Sequence, residues 1–115
     1  MHSSLQSPLL SILIPAKDEV GNLPGLLDEI SLALADIDHE VIVVDDASKD
    51  GTWELLIQRA EKDARLRPLR HATSAGQSTS VWQAAWAARG TWLGTLDGDG
   101  QNDPADLPRL FERAQ

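Results

Sequence analysis

Residues 9–15, LLSILIP, are apolar at every position except Ser11 and stop at a proline. A short run without a polar face reads as a strand buried on both sides, which demands covering layers above and below it. The next apolar residues supply one of those layers. Leu23, Leu26, Leu27, Ile30 and Leu34 recur at helical spacing with Asp28 and Glu29 turned away from them, as in a helix with one covered face. The unit then repeats. EVIVVDD, residues 40–46, is a β-branched strand ending on two acids, and Trp53, Leu56, Ile57 and Ala60 are expected on one face of a following helix capped by Asp50 or Thr52. LRPLRH, residues 66–71, reads as a weaker strand, and Pro68 places it at a sheet edge because it lacks a backbone donor. Residues 78–89, STSVWQAAWAAR, read as a helix with Trp82 and Trp86 packed into the core among alanines and Gly90 as its stop. TWLGTLD, residues 91–97, is a fourth strand, and a last helix opens near Pro104. The expected fold is α/β, one domain with a mostly parallel sheet of about four strands and flanking helices.

Eighteen acids against ten Lys plus Arg give a net charge of −8, which argues against a nucleic-acid partner held through its phosphates. Any anionic ligand therefore needs a local cation. The chain has no cysteine, so thiolate metal sites, disulfides and cysteine nucleophiles are excluded. MHSSLQSPLL lacks the basic start and apolar run of a secretory signal, and no segment approaches a span of about 20 apolar residues. The expected setting is cytoplasmic, with any membrane association peripheral.

Ligands of parallel α/β sheets sit beyond the carboxyl ends of the strands. Asp18 and Glu19 follow the first strand, Asp45 and Asp46 end the second, and Asp97 and Asp99 follow the fourth, so six carboxylates are expected on one rim. The segment DGDGQNDP, residues 97–104, is not an EF-hand loop, because Asn102 and Pro108 stand where glycine and a bidentate glutamate are required. Asp97, Asp99 and Gln101 are alternate residues that face the same way in an extended segment, and Gly98 and Gly100 leave room beside them. Oxygen donors of this kind suit Mg²⁺ or Mn²⁺ shared with a diphosphate. The competing reading is a solvated turn with Asp103 capping the next helix; its place after a buried strand favours the ligand site.

Taken in order, PAKDEVGNL, VIVVDDASKDGT and GQSTSVWQAAWAARGTWLGTLDGDGQNDP resemble the N-terminal half of the family 2 glycosyltransferases, from about Ser11 to Leu110. The likeness is strongest to the polyprenyl-phosphate group that includes dolichyl-phosphate mannosyltransferase. It implies that residues 1–115 are a partial GT-A domain, Rossmann-like, that binds a GDP- or UDP-sugar, with the acceptor-binding portion and the catalytic groups beyond Gln115. Pro15 and Glu19 then line the nucleotide site, with Lys17 at a position where the family carries tyrosine. Val44 and Asp46 match the nucleoside-contacting pair, Asp45 supports the strand end, and Gln77 matches a position near the donor. Asp97, Gly98 and Asp99 match the metal-binding DxD, Gln101 joins that site, and Asp99 is the preferred direct ligand. The implied reaction is inverting transfer to a lipid phosphate, an acceptor already largely ionised at neutral pH.

Two other classes fit parts of the pattern. A receiver-like signalling domain shares the length and an acidic pair, but its pair follows the first strand and LRPLRH supplies no aspartate for phosphorylation. A catalytically silent sugar-nucleotide-binding module fits the same motifs. His39 and His71 are too isolated in sequence for metal ligation or a triad, Arg65, Arg67, Arg70 and His71 read as a solvated basic edge, and GQSTS lacks the ending of a Walker loop.

Overall fold

The computed structural model describes residues 8–97 and 104–108. Four strands, β1 (Leu10–Ala16), β2 (His39–Asp46), β3 (Leu66–His71) and β4 (Trp92–Thr95), alternate with the helices α1 (Leu23–Ala33), α2 (Thr52–Lys62) and α3 (Gln77–Ala87). All pairings are parallel, and the strand order is β3-β2-β1-β4. The chain steps outward from β1 to β3, and α3 then carries it back to the other side of β1. That reversal creates a crevice at the carboxyl ends of β1 and β4.

The two faces of the sheet have separate cores. Leu10, Ile12 and Ile14 of β1, with Val41 and Val43 of β2, pack against Leu23, Leu26, Leu27 and Ile30 of α1 and Leu56 of α2. Leu13, Ile42 and Val44 face the other way and meet Ala84 of α3. Every residue of β2 is buried, as the layered arrangement requires. Pro68 sits on edge strand β3 opposite Val43, where the missing donor faces no further strand.

Helix α3 differs from the sequence reading. Ser80 and Ala84 are its buried residues, whereas Trp82 and Trp86 are 66% and 74% exposed with ring centroids 5.4 Å apart. The small residues form the row that lets the helix approach the sheet closely, and helical geometry puts the tryptophans on the opposite side. In α2 the same rotation buries Thr52 and Leu56 and leaves Ile57 exposed, with Leu55, Trp53 and Ala60 flanking the core. Gly51 occupies the α2 N-cap position, and Asp50 accepts the amide of Thr52 just inside it. Gly90 does not end α3; Ala88 is the C-cap. A Cβ on Gly90 would lie 2.5 Å from Ser11 Oγ and 2.7 Å from Ser11 N, so its role is close passage beside β1.

The basic cluster is a solvated edge only in part: Arg65 and Arg70 are exposed, Arg67 and His71 are half-buried, and three of the four have side-chain partners on β2. Arg67 donates to Glu40 at 2.8 Å, Arg70 lies 3.8 Å from Asp45 and 5.3 Å over the ring of Trp53, and His71 meets Asp46. The parallel register sets Arg70 against Asp45 and His71 against Asp46, making them cross-strand pairs. Glu40, buried at the start of β2, accepts hydrogen bonds from Ser11 Oγ at 2.6 Å, the Arg89 amide at 2.7 Å, and the Arg67 and Arg89 guanidinium groups. Burial alone would raise its pKa, but the bonds from Ser11, Arg89 and Arg67 outweigh it and hold the carboxyl at about 2.

A folded-state pKa below the ordinary 4.5 means that the stabilisation by Glu40 is complete above that value and is lost as pH falls toward 2. Denaturant unfolding of Glu40→Gln should show about 3 kcal/mol less stability at neutral pH and a shallower acid dependence than the parent. Unfolding of Gly90→Ala by the same method should show a loss of about 1–3 kcal/mol from overpacking against Ser11.

Candidate functional site

At the carboxyl ends of β1, β2 and β4 lies a cleft of about 380 Å³ lined by Pro15, Ala16, Lys17, Glu19, Asp46, Ser74, Gly76, Gln77, Ser80 and Asp97. It lies at the strand-order reversal. Six residues expected from sequence, Pro15, Lys17, Glu19, Asp46, Gln77 and Asp97, are brought together there. Val44 is fully buried against the α3 side of the sheet and is not part of the lining. Gly98, Asp99 and Gln101 fall outside the described residues.

Of the five described acids, Glu19, Asp46 and Asp97 line the cleft and Asp18 and Asp45 do not. Successive side chains of a strand point to opposite faces, so Asp45 and Asp46 cannot both enter the cleft. Asp45 is fully buried and its Oδ1 accepts the Ser48 amide at 3.1 Å, the strand-end support expected of it. Asp18, at φ 53°, accepts the amides of Lys49 at 2.7 Å and Asp50 at 3.3 Å through one oxygen. The loop after β2 returns the contacts. Ser48 Oγ accepts the Asp18 amide at 2.8 Å, Thr52 Oγ1 accepts that of Glu19 at 3.0 Å, and Asp50 accepts that of Val20 at 3.2 Å. These bonds tie residues 18–20 to residues 48–52 and thereby fix where Lys17 and Glu19 stand.

Asp46 is held still more firmly. Its Oδ1 accepts the Ala75 amide at 2.7 Å and a bond from His71 Nδ1 at 2.8 Å, and its Oδ2 accepts Ser74 Oγ and the Gly76 amide, each at 2.9 Å. An ionised carboxylate offers about four lone-pair sites, and all are engaged. Burial disfavours its ionisation, but the bonds from Ala75, His71, Gly76 and Ser74 outweigh it and keep the carboxyl well below the usual range. Gly76, at φ 96°, turns the chain into α3 in a conformation that suits glycine, and its N–H and that of Ala75 meet Asp46 at the positive end of the helix. Lys17 Nζ donates to Ser74 Oγ at 3.0 Å. A chain of contacts thus runs from the cleft through Ser74 and Asp46 to His71, whose Nε2 meets Gln83 Oε1.

His71, Ser74, Gly76 and Ser80 escaped the sequence reading. For His71 the signal was available in the pairing of LRPLRH with EVIVVDD, because a parallel register ending both runs together sets it beside Asp46. Gln77, by contrast, was placed near the ligand, and its Nε2 donates to Asp97 Oδ1 at 3.0 Å. Among the described residues no three His, Cys, Asp or Glu side chains form a metal-binding group. Asp97 nonetheless brings a hard oxygen donor to the cleft at the start of the DxDxQ segment, the donor chemistry that suits Mg²⁺ or Mn²⁺.

The architecture is that of GT-A glycosyltransferases. The mannosyltransferase PcManGT from Pyrobaculum calidifontis, solved in complex with GDP-Man and Mn²⁺, superposes with a TM-score of 0.71 at 26% identity, over 83% of this chain and 28% of that one. TarS from S. aureus, solved with UDP-GlcNAc, shares the fold with a TM-score of 0.74 at 24% identity, over 91% of this chain and 30% of its own. The model of glycosyl transferase family 2 matches residues 11–115, and the chain belongs to that family. Undecaprenyl-phosphate 4-deoxy-4-formamido-L-arabinose transferases from Aeromonas hydrophila and Pseudomonas aeruginosa are 35% and 36% identical to it over 109 residues, 92% of this chain. The chain spans about a third of the length of these curated relatives, 33% and 32%. Family membership sets aside the receiver-like alternative.

Removing the Asp46 carboxylate leaves the donors of residues 71 and 74–76 without their acceptor. Hydrogen exchange in Asp46→Ala should accelerate at the Ala75 and Gly76 amides while β1 and β2 stay protected, with a global loss of about 3 kcal/mol. Unchanged exchange at those two amides would contradict the assigned role.

Proposed function

We propose that this chain is the donor-binding part of a glycosyltransferase that takes a GDP- or UDP-sugar and, as a whole enzyme, transfers the sugar with inversion to a polyprenyl phosphate. The observation that carries the reading is the meeting of Lys17, Glu19, Asp46, Gln77 and Asp97 in one cleft at the strand-order reversal, with DxDxQ beginning at Asp97. The names of the relatives support a polyprenyl-phosphate acceptor, and the ligands of PcManGT support a nucleotide sugar and a divalent cation.

The electrostatics favour the same reading. Three carboxylates and a single lysine line the described part of the cleft, so a diphosphate enters against net negative charge unless a cation accompanies it. Asp97, Asp99 and Gln101 would hold Mg²⁺ or Mn²⁺. Bound there, such an ion supplies positive charge to the diphosphate as it departs. Lys17 presents its ammonium to the same cleft for a phosphate or base oxygen. Glu19, fixed by Thr52, is placed to accept from a ribose or base donor. Asp46 joins a nucleoside contact by exchanging the Ser74 hydroxyl for a ligand donor, since its other oxygen positions are engaged from within the protein. In the transfer the anomeric carbon loses its bond to the diphosphate oxygen and gains one to the acceptor phosphate oxygen on the opposite face. The acceptor needs no protein base to become anionic at neutral pH.

No helix among the described residues is long and apolar enough to cross a membrane. A polyprenyl-phosphate acceptor would be met at a membrane surface, which we propose is the cytoplasmic face.

Titration calorimetry of UDP-GlcNAc and GDP-mannose with and without Mn²⁺ tests the reading. One donor should bind more tightly with the metal, Asp99→Ala should remove that coupling, and Lys17→Ala should weaken binding about tenfold. Equal affinity with and without metal for both donors would count against the role of Asp97, Asp99 and Gln101.

A further inference from the structure

We propose that His71 is a positioning residue for the donor cleft: its ring, held between Asp46 on β2 and Gln83 on α3, keeps the 74–76 segment in its ligand-receiving form, and the imidazolium does so better than the neutral ring. The inference rests on the donor-cleft reading and adds to it a residue outside the cleft lining.

The geometry is that of a brace applied from behind. Two of the four donors to Asp46 are the Ala75 and Gly76 amides, which define the turn into α3. A third, the Ser74 hydroxyl, faces the cleft and carries the contact to Lys17. His71 is the fourth and does not line the cleft. Its side chain is 13% exposed, and an acceptor oxygen stands at each ring nitrogen, Asp46 Oδ1 at Nδ1 and Gln83 Oε1 at Nε2. Only the imidazolium can donate to both.

The groups around the ring favour that form. From β2 come Asp46 in direct contact and Asp45 at longer range; α3 presents the uncharged Gln83, and Lys17 at the end of β1 reaches this cluster only through Ser74. Arg70, next to it on β3, is paired with Asp45 and Trp53. Bonds to Asp46 and Gln83 raise the His71 pKa above its ordinary 6.5. The stabilisation from the charged ring is therefore complete below that value and lost as pH rises through the raised pKa. Losing the charge turns the ion pair with the Asp46 carboxylate into the weaker bond of a neutral donor and leaves one ring N–H for two acceptor oxygens, and the segment it releases forms one wall of the cleft.

Two measurements test this on the whole chain. UDP-GlcNAc and GDP-mannose serve as binding probes because their diphosphates, esterified at both ends, do not ionise near neutrality. The affinity of whichever donor binds should fall about fivefold between about pH 6 and about pH 8.5 in the parent and stay flat in His71→Gln. Without ligand, the ¹⁵N–¹H signals of Ala75 and Gly76 should titrate together with the His71 ring. Gln83→Met, at an exposed position outside the cleft, should move both midpoints to lower pH by removing the Nε2 partner. Ala75 and Gly76 signals that ignore the His71 titration, or a His71→Gln variant that keeps the pH dependence of the parent, would overturn the proposal. If neither donor binds at any pH, the donor-cleft reading fails and the amide titration alone decides the linkage of His71 to the 74–76 segment.

Discussion

The structure depends on one row of side chains along β2. Glu40, Ile42, Val44 and Asp46 alternate with residues of the opposite face, and all lie beneath α3. Apolar contacts join the middle of the row to the helix, while a buried carboxylate secures each end. Glu40 takes the Arg89 amide where the chain leaves α3, and Asp46 takes the Ala75 and Gly76 amides where it enters. Helix ends carry backbone groups without partners inside the helix. Here the strand supplies acceptors for the segments that flank both ends, so α3 lies on the sheet with defined position and direction. The placement matters chemically because α3 begins at the wall of the cleft.

Much of the fold was legible in sequence because its causes are periodic. Continuous apolar runs marked the buried strands, leucines at helical spacing marked α1, and Pro68 marked an edge. The errors have a common physical origin. Trp82 and Trp86 look like core by transfer free energy, yet close helix–sheet packing selects the small residues Ser80 and Ala84 for the buried row. Arg67, Arg70 and His71 look like a solvated edge until register supplies their partners across β2. Pairing between strands is long-range information, which a local pattern does not encode.

The same distinction applies to the candidate site. Acids at strand ends pointed to the end of the sheet where the cleft lies, but sequence position could not separate groups that line the cleft from groups that hold a loop. Alternation along β2 separates Asp45 from Asp46, and the hydrogen bonds of residues 18–20 with 48–52 assign Asp18, Ser48, Asp50 and Thr52 to scaffolding. Much of the DDASKDGT motif therefore acts on the cleft indirectly, by presenting Lys17 and Glu19. A binding site on loops is made rigid by supporting contacts of this kind.

The most direct measurement is a ¹⁵N–¹H chemical-shift map of the chain titrated with GDP-mannose or UDP-GlcNAc in the presence of Mg²⁺. Perturbations concentrated at Lys17, Glu19, Gly76, Gln77 and Asp97 are the predicted result. A map centred instead on Glu40 and Arg89 at the opposite end of the sheet, or on the exposed Trp82 and Trp86 face, would contradict the account.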